Sequence, residues 1–383
     1  MKNPKISKLE SVIEQIQTPC YVCEEALLEE NLKRLRYVGQ ESGAKILLAL
    51  KGFALQDTFY LVKRYLDGCT ASGLYEAKLA RKAFDKEVHT YSPAFKDGDM
   101  DEIINISNHV VFNSFSQWQK FKSKAFGRVS CGIRVNPEVS SAPAALYDPC
   151  AKFSRLGVTK KAFDEKLLDG LDGLHFHALC EQNADALEMV LEGFERNFSK
   201  YIPQMKWVNF GGGHHITRED YDIERLICAI KEFKKRYNGI TVYLEPGEAV
   251  GWQSGALAAS VLDIVENGMQ IAILDTSAEA HMPDTLAMPY RAEIRNADRA
   301  NVKKYTYRLA GNTCLSGDII GDYSFDEPLE VGDKLIFEDM IHYTIVKNTT
   351  FNGIKLPDLA LLKKDGSYKV LKHFGYEEYR RRN

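Results

Sequence analysis

Lys51 follows five consecutive apolar residues, Ile46 to Leu50, in the stretch KILLALKGF (residues 45–53). Such a run reads as a strand buried on both faces. An ammonium at its end either reaches back to water along its own methylenes or is crowded enough to lose its proton. A lysine amine in the second condition can form a Schiff base with an aldehyde cofactor, which makes Lys51 a candidate nucleophile and anchor.

Other stretches could serve the same chemistry. NFGGGHH offers Gly211, Gly212 and Gly213 at a strand end, where backbone N–H groups can approach a phosphate with no side chain in the way. In TVYLEPGE, the Glu245 carboxylate can pair with the ring nitrogen of a pyridine cofactor and keep it protonated. Opposite charges at ~4 Å attract by about 4 kcal/mol at an effective dielectric near ~20. A protonated ring is a strong electron sink, which loss of CO2 from an amino acid requires. His177 shares a strand face with His175, and three readings stand: a ring stacked on a planar cofactor, a His-x-His metal pair, or a satisfied core histidine. In GNTCLSGD, Cys314 precedes Asp318 by four residues; it is either a proton donor to a carbanionic carbon or an inert loop thiol.

The elements that must position these groups are legible as eight short apolar runs. They are ILLALK, GCTAS, EVHTYSP, HVVFNS, VSCGIRVNP, LDGLHFHAL, KWVNFGGG and TVYLEPGE, between residues 46 and 248. Segments of helical periodicity separate most of them. Strand and helix alternating in this way predict a parallel (β/α)8 TIM-like barrel, whose chemistry gathers at the C-terminal strand ends. Lys51, Arg134, His177, Gly211 to Gly213 and Glu245 all fall there. After about residue 255 the rhythm changes to SVLDIVENG, MQIAILDTS, KYTYRLAGNTC, EPLEVGDKLIFED and IHYTIVKNTTFNG, strand-like runs divided by Gly, Asn and Asp. The expected division is a barrel over residues 24–254 and a mostly antiparallel β domain over 1–23 plus 255–383, with TPCYVC joining the latter as a strand. The irregular loop 138–151 at the barrel mouth is a candidate functional loop.

Composition narrows the classes. The chain has 383 residues with 50 basic and 53 acidic side chains, a formal net charge of −3. That gives no electrostatic footprint for nucleic acid or an anionic membrane. No stretch is apolar enough to span a bilayer, and the N-terminal MKNPKISKLESVIEQIQTP lacks a signal-peptide core. Eight scattered cysteines favour reduced thiols and a cytoplasmic enzyme. CYVC (Cys20, Cys23) has no second pair at zinc spacing, so no metal site is expected.

Lys51, His177, Gly211–Gly213, Glu245, Cys314–Asp318 and Tyr343 occur in the order that resembles the fold-type III pyridoxal-phosphate decarboxylases, with their alanine-racemase-like barrel. Ornithine, arginine and diaminopimelate decarboxylases belong to this family, and the resemblance covers about residues 18 to 375. Within it, LDTSAEAHMPDTLAMPYR, LAGNTCLSGDIIGDYSF, VGDKLIFEDMIHYTIVKNTTFNG and EPGEAVGWQSGAL are similar to the branch acting on carboxylated polyamines. The resemblance implies that Lys51 carries pyridoxal 5'-phosphate and His177 stacks on its ring. It also implies that Glu245 binds the ring nitrogen, Arg134 lies near the 3-hydroxyl, and Gly211–Gly213 with Tyr343 bind phosphate. Cys314 becomes the proton donor and Asp318 a ligand of the substrate amine, both reaching across the interface of a homodimer. Sister enzymes usually carry EPGR where this chain has EPGE; the expectation is that Glu248, with Asp275 and Asp318, faces a cationic polyamine arm. A diaminopimelate, ornithine or arginine decarboxylase, a non-catalytic pyridoxal-phosphate carrier and a metal-dependent barrel hydrolase are the alternatives.

Overall fold

The computed structural model describes residues 7–139 and 145–383. Part of the loop 138–151, residues 140–144, therefore lies outside the described residues; the remainder contains a 3-10 turn at Ala145–Tyr147. The chain divides into two compact units, one over Asn31–Val250 and the other over Gly251–Asn383 with the N-terminal segment up to Glu30.

Strand β1 (Cys20–Glu24) belongs to the second unit. The first unit is a closed parallel barrel of β2 (Lys45–Ala49), β3 (Gly68–Ala71), β4 (Glu87–Tyr91), β5 (His109–Phe112), β6 (Ser130–Arg134), β7 (Gly173–His175), β8 (Trp207–Asn209) and β9 (Thr241–Leu244). It closes where β2 pairs β9, Lys45 opposite Tyr243. Each of the eight apolar runs supplies one strand. Amphipathic helices cover the outside for ordinary reasons. The helix Ile223–Arg236 starts where the Asp222 side chain accepts from Arg225 N–H, and buries Leu226, Ile227, Ile230 and Phe233 along one stripe. It ends in Lys234, Lys235 and Arg236, cations suited to a helix C-terminus.

Because side chains alternate along a strand, every second residue of the barrel faces its lumen. The lumen column reads Lys45 and Leu47 on β2, Glu87, His89 and Tyr91 on β4, His109 and Val111 on β5, His175 on β7, Trp207 and Asn209 on β8, and Tyr243 with Glu245 on and after β9. Leu47, Val111, Trp207 and Tyr243 pack together, with Tyr91 against them. The Trp207 indole fills the floor only because β6 and β7 each offer a glycine. A Cβ on Gly132 would lie 2.3 Å from its Cη2, and one on Gly173 2.1 Å from its Cδ2. Below the indole the lumen is polar. The Lys45 ammonium pairs with Glu87, and the His89 and His109 rings stack at 3.9 Å.

The second unit is a nine-stranded, mostly antiparallel sheet built from β1 with β10 (Gly255–Glu266), β11 (Gln270–Leu274), β12 (Asp298–Arg299), β13 (Tyr305–Ala310), β14 (Ile319–Phe325), β15 (Lys334–Glu338), β16 (Asp358–Leu362) and β17 (Tyr368–Lys372). β1 lies between β10, antiparallel, and β16, parallel. IHYTIVKNTTFNG is not a strand, contrary to its β-branched composition. Tyr343 (φ +43°) and Asn352 (φ +56°) turn the backbone, and the Asn348 amide donates to Thr344 O at 2.7 Å. Local hydrogen bonds of this kind compete with a sheet ladder.

Candidate active site

The C-terminal mouth of the barrel collects the expected groups of the first unit. Lys51 stands two residues beyond β2, in a turn held against the one after β9. Gly52 and Gly247 meet so closely there that a Cβ on Gly52 would lie 2.9 Å from Gly247 Cα. The lysine is accessible from the mouth, yet protein rings it. Desolvation and the Arg134 cation lower its pKa, while Glu245, Glu76 and Cys180 pull the other way. A lowered pKa is what a nucleophilic amine needs.

Glu245 is buried, and its Oε1 accepts from the Asn209 amide at 2.7 Å. Its Oε2 lies 3.6 Å from His175 Nε2, beyond hydrogen-bond length. Burial and the nearby Arg134 and Lys51 cations push the pKa of His175 well below its ordinary value, so that ring is neutral. His177 is neutral for the same reasons, with burial first and Lys51 second. Its Nδ1 accepts the Gly212 N–H at 3.1 Å, which fixes the ring and leaves its face uncommitted. Arg134 donates through Nη2 to His177 O at 2.9 Å, and its guanidinium lies 4.7 Å from the Tyr91 ring centroid.

The glycine turn is more committed than its sequence suggested. Gly211 N–H donates to Asn209 Oδ1 at 2.8 Å and Gly212 N–H to His177, leaving the Gly213 N–H as the turn's donor. Side chains are excluded throughout. A Cβ on Gly212 would fall 2.5 Å from Glu245 O, and one on Gly213, at φ +81°, 2.0 Å from Leu179 O. An accessible amine of lowered pKa, a glycine cradle, a ring with a free face and a buried carboxylate fit the aldehyde, phosphate and ring nitrogen of pyridoxal phosphate.

Glu248 opens the short helix Glu248–Gly251, 3.8 Å from His215 Nε2. In the second unit, Asp275 accepts from Ser260 N–H at 2.8 Å. Cys314 is exposed, its N–H donating to Asn352 Oδ1 at 2.6 Å. Asp318 is 2 % exposed and accepts four hydrogen bonds, from Thr313 N–H and Oγ1, Ser277 Oγ and Glu279 N–H. Three of these fall on Oδ2 and one on Oδ1, so Asp318 shapes the Cys314 loop and keeps one Oδ1 lone pair uncommitted. Tyr343 lies in the turn at φ +43°, with Lys347 Nζ 5.4 Å from its ring centroid.

Asn209 and Tyr91 are not singled out by the sequence, although the period-2 column of each strand contains them. Among the described residues, two sets of donors lie close enough to share an ion: Glu87, His89 and His109, and His175, His177 and Glu245. In the first, the imidazole planes are within 18° of parallel, so their in-plane lone pairs do not converge. In the second, Gly212 and Asn209 already occupy one atom each of His177 and Glu245.

A family described as "Pyridoxal-dependent decarboxylase, C-terminal sheet domain" matches residues 20–341. The carboxynorspermidine/carboxyspermidine decarboxylase of Campylobacter jejuni is 56% identical over 381 residues, covering 97% of this chain and 99% of that protein. The carboxyaminopropylagmatine decarboxylase of a Synechocystis species is 44% identical over 384 residues, covering 100% and 97%. The crystal structure of a Campylobacter jejuni carboxynorspermidine decarboxylase complexed with norspermidine superposes with a TM-score of 0.91 at 54% identity, over 96% of this chain and 100% of that one.

Proposed function

The chain belongs to the pyridoxal-dependent decarboxylases, and on that premise we propose that it removes CO2 from carboxynorspermidine and carboxyspermidine, forming norspermidine and spermidine with pyridoxal 5'-phosphate as cofactor. The observation that carries this reading is the convergence of Lys51, His177, Glu245 and the glycine turn at one barrel mouth, in a chain with a relative so named along its whole length.

Lys51 would hold the cofactor's aldehyde, Glu245 its ring nitrogen, His177 one ring face, and Arg134 the side of its 3-hydroxyl. Gly213 N–H and the Tyr343 hydroxyl would hold its phosphate. When bound, the cofactor supplies the electron sink for the pair left behind as CO2 departs. Glu245 keeps a proton on the ring nitrogen through Oε2, the oxygen that Asn209 does not occupy. Neutral His177 adds no charge beside the ring and orients it. The Cys314 thiol then gives a proton to the carbon that lost the carboxylate. Asp318 holds the loop that carries this thiol through Oδ2, and its Oδ1 is assigned to the substrate amine. Glu248 and Asp275 are assigned to the ammonium groups of the polyamine arm.

In this reading the protein is a homodimer, and Cys314 serves the other copy's barrel. Eight unpaired cysteines agree with a reducing compartment such as the cytoplasm. No helix among the described residues is long and apolar enough to cross a membrane.

The test is CO2 release by cofactor-loaded protein on carboxynorspermidine, carboxyspermidine, carboxyaminopropylagmatine, diaminopimelate and L-ornithine. Turnover of the first two well above the rest supports the proposal. Preference for either amino acid, or for the guanidino compound, would overturn the substrate assignment. Mixing Lys51→Ala and Cys314→Ala protomers tests the shared site. A random mixture of dimers should regain about a quarter of native activity if sites are shared, and none if they are not.

A further inference from the structure

The Asn209 side chain is fully buried and bonded at both ends of its carboxamide. Nδ2 donates to Glu245 Oε1 at 2.7 Å, and Oδ1 accepts the Gly211 N–H at 2.8 Å. These partners fix which atom is which, since a carboxylate must face N–H and a backbone N–H must face oxygen. The backbone around it is equally tied. Phe176 N–H donates to Asn209 O at 2.9 Å, and Glu245 N–H returns to Gly211 O at 2.8 Å. One step further, Gly212 N–H reaches His177 Nδ1. A continuous chain of hydrogen bonds and turn backbone thus joins Glu245, Asn209, Gly211, Gly212 and His177.

We infer that Asn209 is a positioning residue for the decarboxylation. Its carboxamide ties the carboxylate that meets the cofactor ring to the turn that meets its phosphate, so one side chain sets both. The inference rests on the cofactor reading above. Only a group that donates at one end and accepts at the other can do this. An ionised aspartate would satisfy Gly211 but set a second negative charge against Glu245. An apolar residue would leave both a buried carboxylate oxygen and a buried N–H unpaired. Bonding Oε1 also commits that oxygen, so Oε2 is the one that would meet the ring nitrogen.

The experiment compares the pyridoxal-phosphate-loaded protein with its Asn209→Ala and Asn209→Asp variants. It reads the cofactor dissociation constant, the 15N resonance of the labelled ring nitrogen, and kcat and KM against pH. For Asn209→Ala, the dissociation constant should rise about 10- to 100-fold, as for lost outer-shell partners elsewhere. The ring resonance should move toward its unprotonated position, and kcat should fall more than KM rises. Asn209→Asp keeps the shape. A proton shared with Glu245 should preserve much of the activity at low pH, and a new descending limb should appear as both carboxyls ionise. Lys51, Tyr91 and His175 are the ionisable groups acting on Glu245, with Arg134 and His177 beside Lys51, and all remain in the variant.

Cofactor affinity within about threefold of native and an unmoved 15N resonance in a folded Asn209→Ala would overturn the inference. So would an Asn209→Asp pH profile that superposes on the native one, and this result decides alone if the alanine variant does not fold. Failure of the unsubstituted protein to take up pyridoxal phosphate would overturn the proposed function and this inference with it; native uptake with indifferent variants would overturn the inference alone.

Discussion

Glu248 is a carboxylate placed where a phosphate-binding turn would be better served by a cation. It opens a short helix two residues after Pro246, 3.8 Å from the His215 ring, and its side chain keeps 16% of its surface. A negative group there repels a phosphate and attracts an ammonium. Replacing it by glutamine keeps the shape and removes the charge. If it faces the polyamine arm, Glu248→Gln should cost about 1.5–3 kcal/mol of substrate binding, a KM increase of about 10- to 150-fold. Cofactor content and kcat should change by less than about twofold. Steady-state kinetics alongside absorbance of bound cofactor check this. Lost cofactor with an unchanged KM would mean that the charge acts on phosphate after all. The residues missed in the sequence have one physical cause. Asn209 and Tyr91 touch no solvent-facing motif, and polar side chains in a strand read as interruptions of the apolar run. Only their period-2 alignment with Gly211, His177 and Arg134's strand-end neighbours in the closed barrel gives them meaning.

At the scale of elements, the barrel's floor is set by a single large side chain and two absent ones. Trp207 projects from β8 across β7 and β6, and Gly173 and Gly132 make room for it. Restoring a Cβ at Gly173 puts a carbon 2.1 Å from Cδ2 of the indole and 2.2 Å from its Cε2, in a strand paired on both sides. Gly173→Ala should therefore destabilise the barrel by about 1–3 kcal/mol, the usual cost of overpacking a filled core. Urea unfolding followed by tryptophan emission would measure it, and an unshifted midpoint would show that the indole has room to move. The barrel strands were legible because each is a short apolar run stopped by glycine or a charged group, a pattern that a parallel strand buried on both faces must have. The turn segment 341–353 was misread for a related reason. Its Ile345 and Val346 look like strand, but the left-handed residues Tyr343 and Asn352 and the Asn348 hydrogen bonds to Thr344 and Tyr21 are conformational facts that composition does not carry. Likewise the CLSGD loop shows a cysteine and a carboxylate at useful spacing, and the fold adds that the carboxylate also builds the loop, chiefly through Oδ2.

Across the whole molecule, buried neutral histidines make folding sensitive to mild acid. Burial pushes His214 and His281 down to about 4 and His109 to about 2, and it holds His175 and His177 well below their ordinary value. Glu87, held by His89 and Lys45, is lowered to about 2 although burial alone would raise it. The signs agree. Below about pH 6.5 the unfolded chain takes protons on these histidines that the folded protein refuses, so stability falls as pH falls. Glu87 contributes stability above its ordinary value of 4.5, and that contribution is lost toward about 2. The histidine window comes first. Each fully refused proton costs about 1.4 kcal/mol per pH unit, and a net stability of about 5–15 kcal/mol cannot absorb several of them. The cofactor-free protein should therefore show a urea midpoint that drops steeply between about pH 6.5 and about pH 5, before most carboxylates titrate. Replacing His109 by asparagine or His281 by asparagine should flatten that drop, because the residue that refuses the proton is gone. A midpoint that holds steady to about pH 4.5 and then falls would place the acid sensitivity on carboxylates such as Glu87 instead.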